Sequence, residues 1–167
     1  MKFSAALILG LALFSSGALA SVPFNIKLPA GFEGPETASR GSTKLFAYVR
    51  TNSVTNVKSL FQVTIVTIPA EGRSDSLEKM LSGMLGGIER RRSNFKKSAI
   101  TKSKLDSAEA VAVDWEGANE GQRLKGRMIC AVSSGKLYCL HFQDIAEAWS
   151  VSLPQIESAI QKFEFTN

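Results

Sequence analysis

Met128-Ile129-Cys130-Ala131-Val132-Ser133-Ser134-Gly135-Lys136-Leu137-Tyr138-Cys139-Leu140 holds two β-rich runs that meet at a tight-turn signal. β-branched, aliphatic and aromatic residues fill both arms, and Ser134-Gly135 suits a two-residue hairpin turn. With that turn, Ser133 faces Lys136, Val132 faces Leu137, Ala131 faces Tyr138 and Cys130 faces Cys139. Counting outward, the cysteines fall on a non-hydrogen-bonded pair, the closest-approaching site of an antiparallel ladder. In an oxidising compartment the spacing predicts a Cys130–Cys139 disulfide. It closes a short loop, so its stabilisation is about 2–3 kcal/mol.

The start of the chain supplies that compartment. Met1-Lys2 is a positive n-region, Phe3 to Phe14 an apolar core, and Ala18-Leu19-Ala20 a small-x-small cleavage pattern. Residues 1–20 therefore read as an export signal and 21–167 as one mature domain. Position 21 is Ser, so the lipidated cysteine of a bacterial lipoprotein is missing, and Lys2 alone is no twin-arginine signal. No later stretch approaches 18 uninterrupted apolar residues, so no transmembrane segment is expected. The periplasm or extracellular space is the predicted location. At 44% hydrophobic residues and net charge +5, the composition is globular and excludes wholesale disorder.

Working outward from the hairpin, Phe24, Ile26 and Leu28 alternate with polar residues as in a half-buried strand. Gly31 to Ser42 reads as loop; Lys44 to Arg50 and Leu60 to Ile68 read as a second hairpin closed by Pro69. A helix follows, capped by Ser74 or by Asp75 with Glu78, its buried stripe Leu77, Leu81, Met84 and Ile88. Gly83, Gly86 and Gly87 either allow close approach to a sheet or end the helix early. Further strands are expected at Ile100 to Leu105 and Ala108 to Trp115, the latter splitting Ala108, Ala110 and Ala112 from Val111, Val113 and Trp115. A turn is placed at Gly117 to Gly121, and the disulfide hairpin spans Leu124 to Val132 and Leu137 to Phe142. A second helical region begins near Asp144, and Pro154 fits the first turn of a last helix facing inward with Ile156, Ala159 and Ile160. Phe163 and Phe165 form a closing strand. Hairpin strands with helices set apart imply an α+β domain.

This layout resembles the PsbP-like family, named for an extrinsic subunit of photosystem II. The same fold occurs in a Ran-binding nuclear-import factor and in exported bacterial proteins of the DcrB type. The resemblance rests on Phe24-x-Ile26-x-Leu28-Pro29-x-Gly31-Phe32, on Ser134-Gly135-Lys136-Leu137-Tyr138-x-Leu140-x-Phe142, on Trp149, and on Ile160-x-x-Phe163-x-Phe165. It implies a central antiparallel sheet flanked by helices, no shared catalytic constellation, and members that mostly bind other proteins.

The chemistry-bearing residues are few. His141 is the one histidine, on the face of Cys139; with that cysteine oxidised it reads as structural rather than as half of a dyad. No serine-hydrolase or phosphate-loop motif sits in its required context, and His and Cys ligands are too few for a transition-metal site. No catalytic residue, metal or cofactor is therefore assigned. Asp114 and Glu116 share a face and could act as acid and base, but Arg123, Lys125 and Arg127 on the adjoining strand predict cross-strand ion pairs. Between residues 90 and 104 stand seven basic residues and no acid. Arg90, Arg91, Arg92, Lys96 and Lys97 form a candidate patch for an anionic partner; the alternative is a solvated helix end and a Lys-protected edge strand. Nucleic acid is not expected, because export removes it and no aromatic ladder accompanies the charges. Ser134, Gly135 and Tyr138 also fit the Ser-Gly-x-x-Tyr pattern of bacterial periplasmic lysozyme inhibitors. The expectation is an exported, non-enzymatic binding or accessory protein whose partner is another protein or an anionic envelope surface. The alternative is a lysozyme inhibitor using that hairpin.

Overall fold

The computed structural model describes residues 22–51, 57–70 and 75–166, so the expected leader and the Ser74 cap lie outside the described residues. Strands β1 (Phe24–Asn25), β2 (Glu33–Arg40), β3 (Thr43–Thr51) and β4 (Lys58–Thr67) precede helix α1 (Leu77–Glu89). Then come β5 (Ser93–Lys97), β6 (Thr101–Leu105), β7 (Ala108–Asn119), β8 (Gln122–Ser133), β9 (Lys136–Ile145), α2 (Trp149–Ile160) and β10 (Glu164–Phe165). Among the described residues, eight strands form one antiparallel sheet in the order β2-β3-β4-β9-β8-β7, with β5 and β6 lying one after the other along the outer edge of β7. β1 and β10 pair separately. The domain is α+β, as the sequence predicts.

The hairpin register is the expected one: Cys130 lies opposite Cys139 and Ser133 opposite Lys136. Ser134 and Gly135 take φ 49° and 71°, the left-handed pair that a twisted two-residue turn requires. The cysteines are bonded, Sγ–Sγ 2.01 Å, across a Cα separation of 4.2 Å.

Strand alternation divides the core in two. On one face Phe46, Phe61, Val63, Leu140 and Phe142 pack with Ile156 and Ile160 of α2, and Phe24 and Phe163 close over them. On the other, Val111, Val113, Trp115, Cys130 and Cys139 pack beneath Leu81 and Leu85 of α1. The alanine and valine–tryptophan faces of β7 separate as expected.

Several local expectations are corrected. Residues 33–40, read as loop, are the edge strand β2. Its side chains are mostly exposed on both faces, so no hydrophobic alternation marks it, and Pro35 falls at a register irregularity where a missing N–H is tolerated. Only Phe24–Asn25 of the first strand pairs, although Ile26 and Leu28 still pack on the core. Helix α1 is capped by Ser76, whose Oγ accepts from Lys79 N at 3.3 Å; Asp75 instead pairs with Lys79 Nζ at 2.6 Å. The helix continues through its glycines, and a Cβ at Gly83 or Gly87 would meet nothing within 4 Å, so neither serves a close approach. Gly117 lies inside β7, where Arg92 Cβ stands 3.0 Å from the Cβ it lacks, and the turn is Glu120-Gly121. β9 runs past Asp144 to Ile145, and α2 begins only at Trp149. Pro154 stands inside α2 rather than in its first turn. The residue whose carbonyl its missing N–H would have served, Ser150, is exposed, where an unmade bond costs least.

Candidate functional site

The register sets charged residues in rows across the α2 face of the sheet. Arg127 lies opposite both Phe142 and Asp114, and one step further along the strands Lys125 lies opposite both Asp144 and Glu116. Lys96 of β5 extends that row beside Glu116. Rows of alternating sign are the cross-strand pairing the sequence predicts. The Arg127 guanidinium holds Asp114 with two bonds, Nε–Oδ1 2.6 Å and Nη2–Oδ2 2.8 Å, and also reaches Glu157 of α2. These partners raise its pKa, led by the Asp114 hydrogen bond. At the opposite end Arg50 pairs with buried Asp144 at 3.6 Å, lies 4.9 Å over the Phe32 ring, and donates to Gln155 of α2.

Between these paired groups the surface is hollow. A cavity of about 330 Å³ is bordered by Trp149, Ser98, Asp114, Glu116, Lys96 and Lys125. A second depression of about 260 Å³ shares Lys96, Glu116 and Lys125 and continues past Arg123, Asn94 and Ala146. Together they form one groove at the β5–β7–β8 end of the sheet. Trp149 is partly buried and stacks on Phe142 at 5.5 Å, so its ring is fixed from behind. Lys96 and Glu116 approach only to 4.0 Å and are largely exposed, a weak pair.

The groove gathers residues that sequence reasoning assigned elsewhere. Lys125 was expected as an ion-pair partner and Trp149 as a fold marker; only the β8–β9 register and the placement of α2 bring them together. The alternation Arg123, Lys125, Arg127 on one strand face was the available signal.

The candidate basic patch divides. Arg90 and Arg91 are exposed at the end of α1. Register puts Lys96 on the α2 side, opposite Glu116, and Lys97 on the α1 side, opposite Trp115. Lys102 and Lys104 follow on that α1 side along β6, opposite Val111 and Glu109. Arg92 turns inward instead: its Nη2 donates to Gln143 at 3.1 Å and its guanidinium lies 5.9 Å from the Trp115 ring. Burial, and then the neighbouring Arg91 charge, lower its pKa.

The other singled-out residues are interior. Tyr138 is buried against Phe165, ring centroids 4.8 Å apart, and burial raises its pKa. The hairpin tip therefore exposes Ser134 and Gly135 but not the tyrosine of the inhibitor pattern, and the Gly135 carbonyl accepts from Ile68 N at 3.1 Å. His141 is buried and stacks on Trp115 at 5.7 Å. Desolvation, and then the Arg92 charge, depress its pKa to about 3, so it is neutral at ordinary pH. Among the described residues, no group of three or more His, Cys, Asp or Glu could hold a metal ion, and no helix is long and apolar enough to cross a membrane.

No protein-family model matches the sequence, and no curated protein matches it significantly. Solved structures do match by shape. LpqN of Mycobacterium tuberculosis, described as involved in cell envelope biogenesis, aligns with TM-score 0.62 and 12% identity over 86% of this chain and 83% of its own. A Pseudomonas aeruginosa protein of unknown function, PA94, aligns at 0.57 and 12% over 83% of this chain and 94% of its own. The cyanobacterial PsbP protein CyanoP of Synechocystis sp. PCC 6803 aligns at 0.55 and 13% over 92% and 98%. With the antiparallel sheet, the two covering helices and these matches in place, the chain has a PsbP-like α+β fold.

Proposed function

We propose that this is an exported, non-enzymatic accessory protein of the cell envelope that docks on phosphate-bearing lipid headgroups through a basic edge. The observation that carries the reading is the five exposed cations that stay on the α1 side once Arg92 turns inward and Lys96 faces α2: Arg90, Arg91, Lys97, Lys102 and Lys104. Arg90 and Arg91 follow the last turn of α1, and Lys97, Lys102 and Lys104 line the α1 side of the outer β5–β6 edge. Clustered cations on one side of a domain raise the local concentration of anionic surfaces, each contributing about 1 kcal/mol near a bilayer. The leader-like residues 1–20, the disulfide and the envelope role described for LpqN support the location. The lysozyme-inhibitor alternative requires Tyr138 at the surface, and Tyr138 is core.

Flotation with vesicles of phosphatidylglycerol and phosphatidylethanolamine, against pure phosphatidylcholine, tests the proposal. Retention is expected on the anionic vesicles alone, falling steeply with salt and lost in an Arg90→Gln, Arg91→Gln, Lys102→Gln, Lys104→Gln variant. Equal retention of the variant, or none by the wild type, overturns it.

A further inference from the structure

The groove on the α2 face rests on different residues from that docking edge, and its lining names a ligand. Asp114 is held by the bidentate Arg127 contact, leaving Glu116 as the acid that faces Lys96, Lys125 and Arg123 around the two depressions. The balance inside the groove is positive. Helix α2 adds to it: its cap residue is Ala148, which has no side-chain acceptor, and its first turn contains no acid. No side chain of the cap or first turn therefore offsets the positive end of the helix dipole, and the nearest acid in sequence is Glu147, just before the cap. Trp149 borders the first depression and Ala146 the second, so this end of α2 lies beside the groove rather than elsewhere on the surface.

An inorganic anion would need only the cations. The groove also contains the Trp149 ring, held flat against Phe142 at an interplanar angle of 14°, with exchangeable donors and acceptors around it. A flat aromatic surface beside charged hydrogen-bonding groups suits a pyranose ring, whose axial C–H face is apolar and whose hydroxyls are polar. The first cavity, about 330 Å³, is at the lower end of the size of small-molecule sites, and the second extends it lengthwise.

We propose that this groove binds an acidic glycan, one sugar ring against Trp149 and its carboxylates or phosphates on Lys96 and Lys125. The test is titration of the intact protein with a trigalacturonate, a neutral cellotriose and inorganic phosphate, followed by calorimetry and by tryptophan emission. Trp115, 3% exposed, also borders the first depression, so the emission change is assigned to Trp149 by its loss in Trp149→Phe. Trigalacturonate is expected to bind saturably and to alter the emission, with cellotriose at least tenfold weaker. Lys125→Gln and Lys96→Gln should each weaken trigalacturonate binding about three- to tenfold, and Trp149→Phe should weaken it without altering the salt dependence. Equal binding of cellotriose, equal binding of inorganic phosphate, or indifference to both lysine substitutions overturns the proposal. Should Trp149→Phe fail to fold, the lysine variants and the ligand comparison still decide. Vesicle retention through Arg90, Arg91, Lys102 and Lys104 is a separate readout, so failure of one proposal leaves the other distinguishable.

Discussion

The two faces of the sheet bury polar groups under opposite conditions. On the α2 face Arg127 is shared between Asp114 and Glu157, and Arg50 between Asp144 and Gln155, so the charges are partnered where the aromatic core ends. On the α1 face Trp115 is sandwiched between Phe95 and His141, and the atoms Trp115 Nε1, His141 Nε2 and Arg92 Nε are buried without a hydrogen-bond partner. A Cβ added at Gly126 would come within 2.3 Å of the Trp115 ring, so the indole lies directly on the strand backbone. One face thus ends in a partnered, solvent-accessible rim. The other hides its polar atoms in a close-packed stack, which destabilises the fold unless other interactions compensate. The disulfide lies in that second core.

This contrast can be broken at four points. The largest effect is expected from Phe142→Ala, which removes a fully buried ring and the backing of Trp149 together. Urea unfolding should show a loss of about 3–5 kcal/mol, and Trp149 emission should move to the red. A loss below about 1 kcal/mol would mean the α2 face is not the aromatic core described.

Acid should act next, and through the other face. His141 titrates near 6.5 when unfolded and is depressed to about 3 by burial and Arg92 when folded. Between those values the unfolded chain binds more protons, so stability is highest above pH 6.5 and falls as the pH drops toward 3. From pH 7 to pH 4 this group alone should lower the unfolding free energy by about 3 kcal/mol. His141→Phe should flatten that slope in thermal melts; an unchanged slope would transfer the acid sensitivity to other groups.

Reduction of Cys130–Cys139, or the double Cys→Ala variant, should lower stability by about 2–3 kcal/mol through the short loop it frees. Chemical denaturation of oxidised and reduced protein measures it. A loss exceeding that of Phe142→Ala would reverse the ranking of the two faces.

The smallest change is expected from Arg127→Met. Arg127 is 23% exposed and its partners more so, and solvent screens such pairs to about 1 kcal/mol. A double-mutant cycle with Asp114→Asn isolates the term. A coupling above about 3 kcal/mol would show a dry ion pair rather than a wetted rim.

Legibility in the sequence followed the reach of each signal. β-rich composition exposed β3 and β4, and alternation exposed the split of β7. Both signals missed β2, which buries almost nothing; alternation at Phe24, Ile26 and Leu28 gave only a two-residue strand; and the helix expected to begin near Asp144 is the end of β9, with Asp144 buried against Arg50. The sequence placed Arg123, Lys125 and Arg127 on the strand beside Asp114 and Glu116, but the turn expected at Gly117 to Gly121 is Glu120-Gly121, so only the structure fixed Asp114 opposite Arg127. Nor could Trp149 be placed at the groove, since its position depends on how α2 crosses the sheet.

By itself the sequence determined the hairpin register, and with it the Cys130–Cys139 bond, because a two-residue turn and strict alternation leave one arrangement of opposed residues. Only the tertiary structure decided that Arg92 leaves the basic run to lie on Trp115, that Tyr138 is core, and that Lys96, Lys125 and Trp149 border one groove. Those outcomes depend on packing between elements distant in the chain, and no local period encodes them.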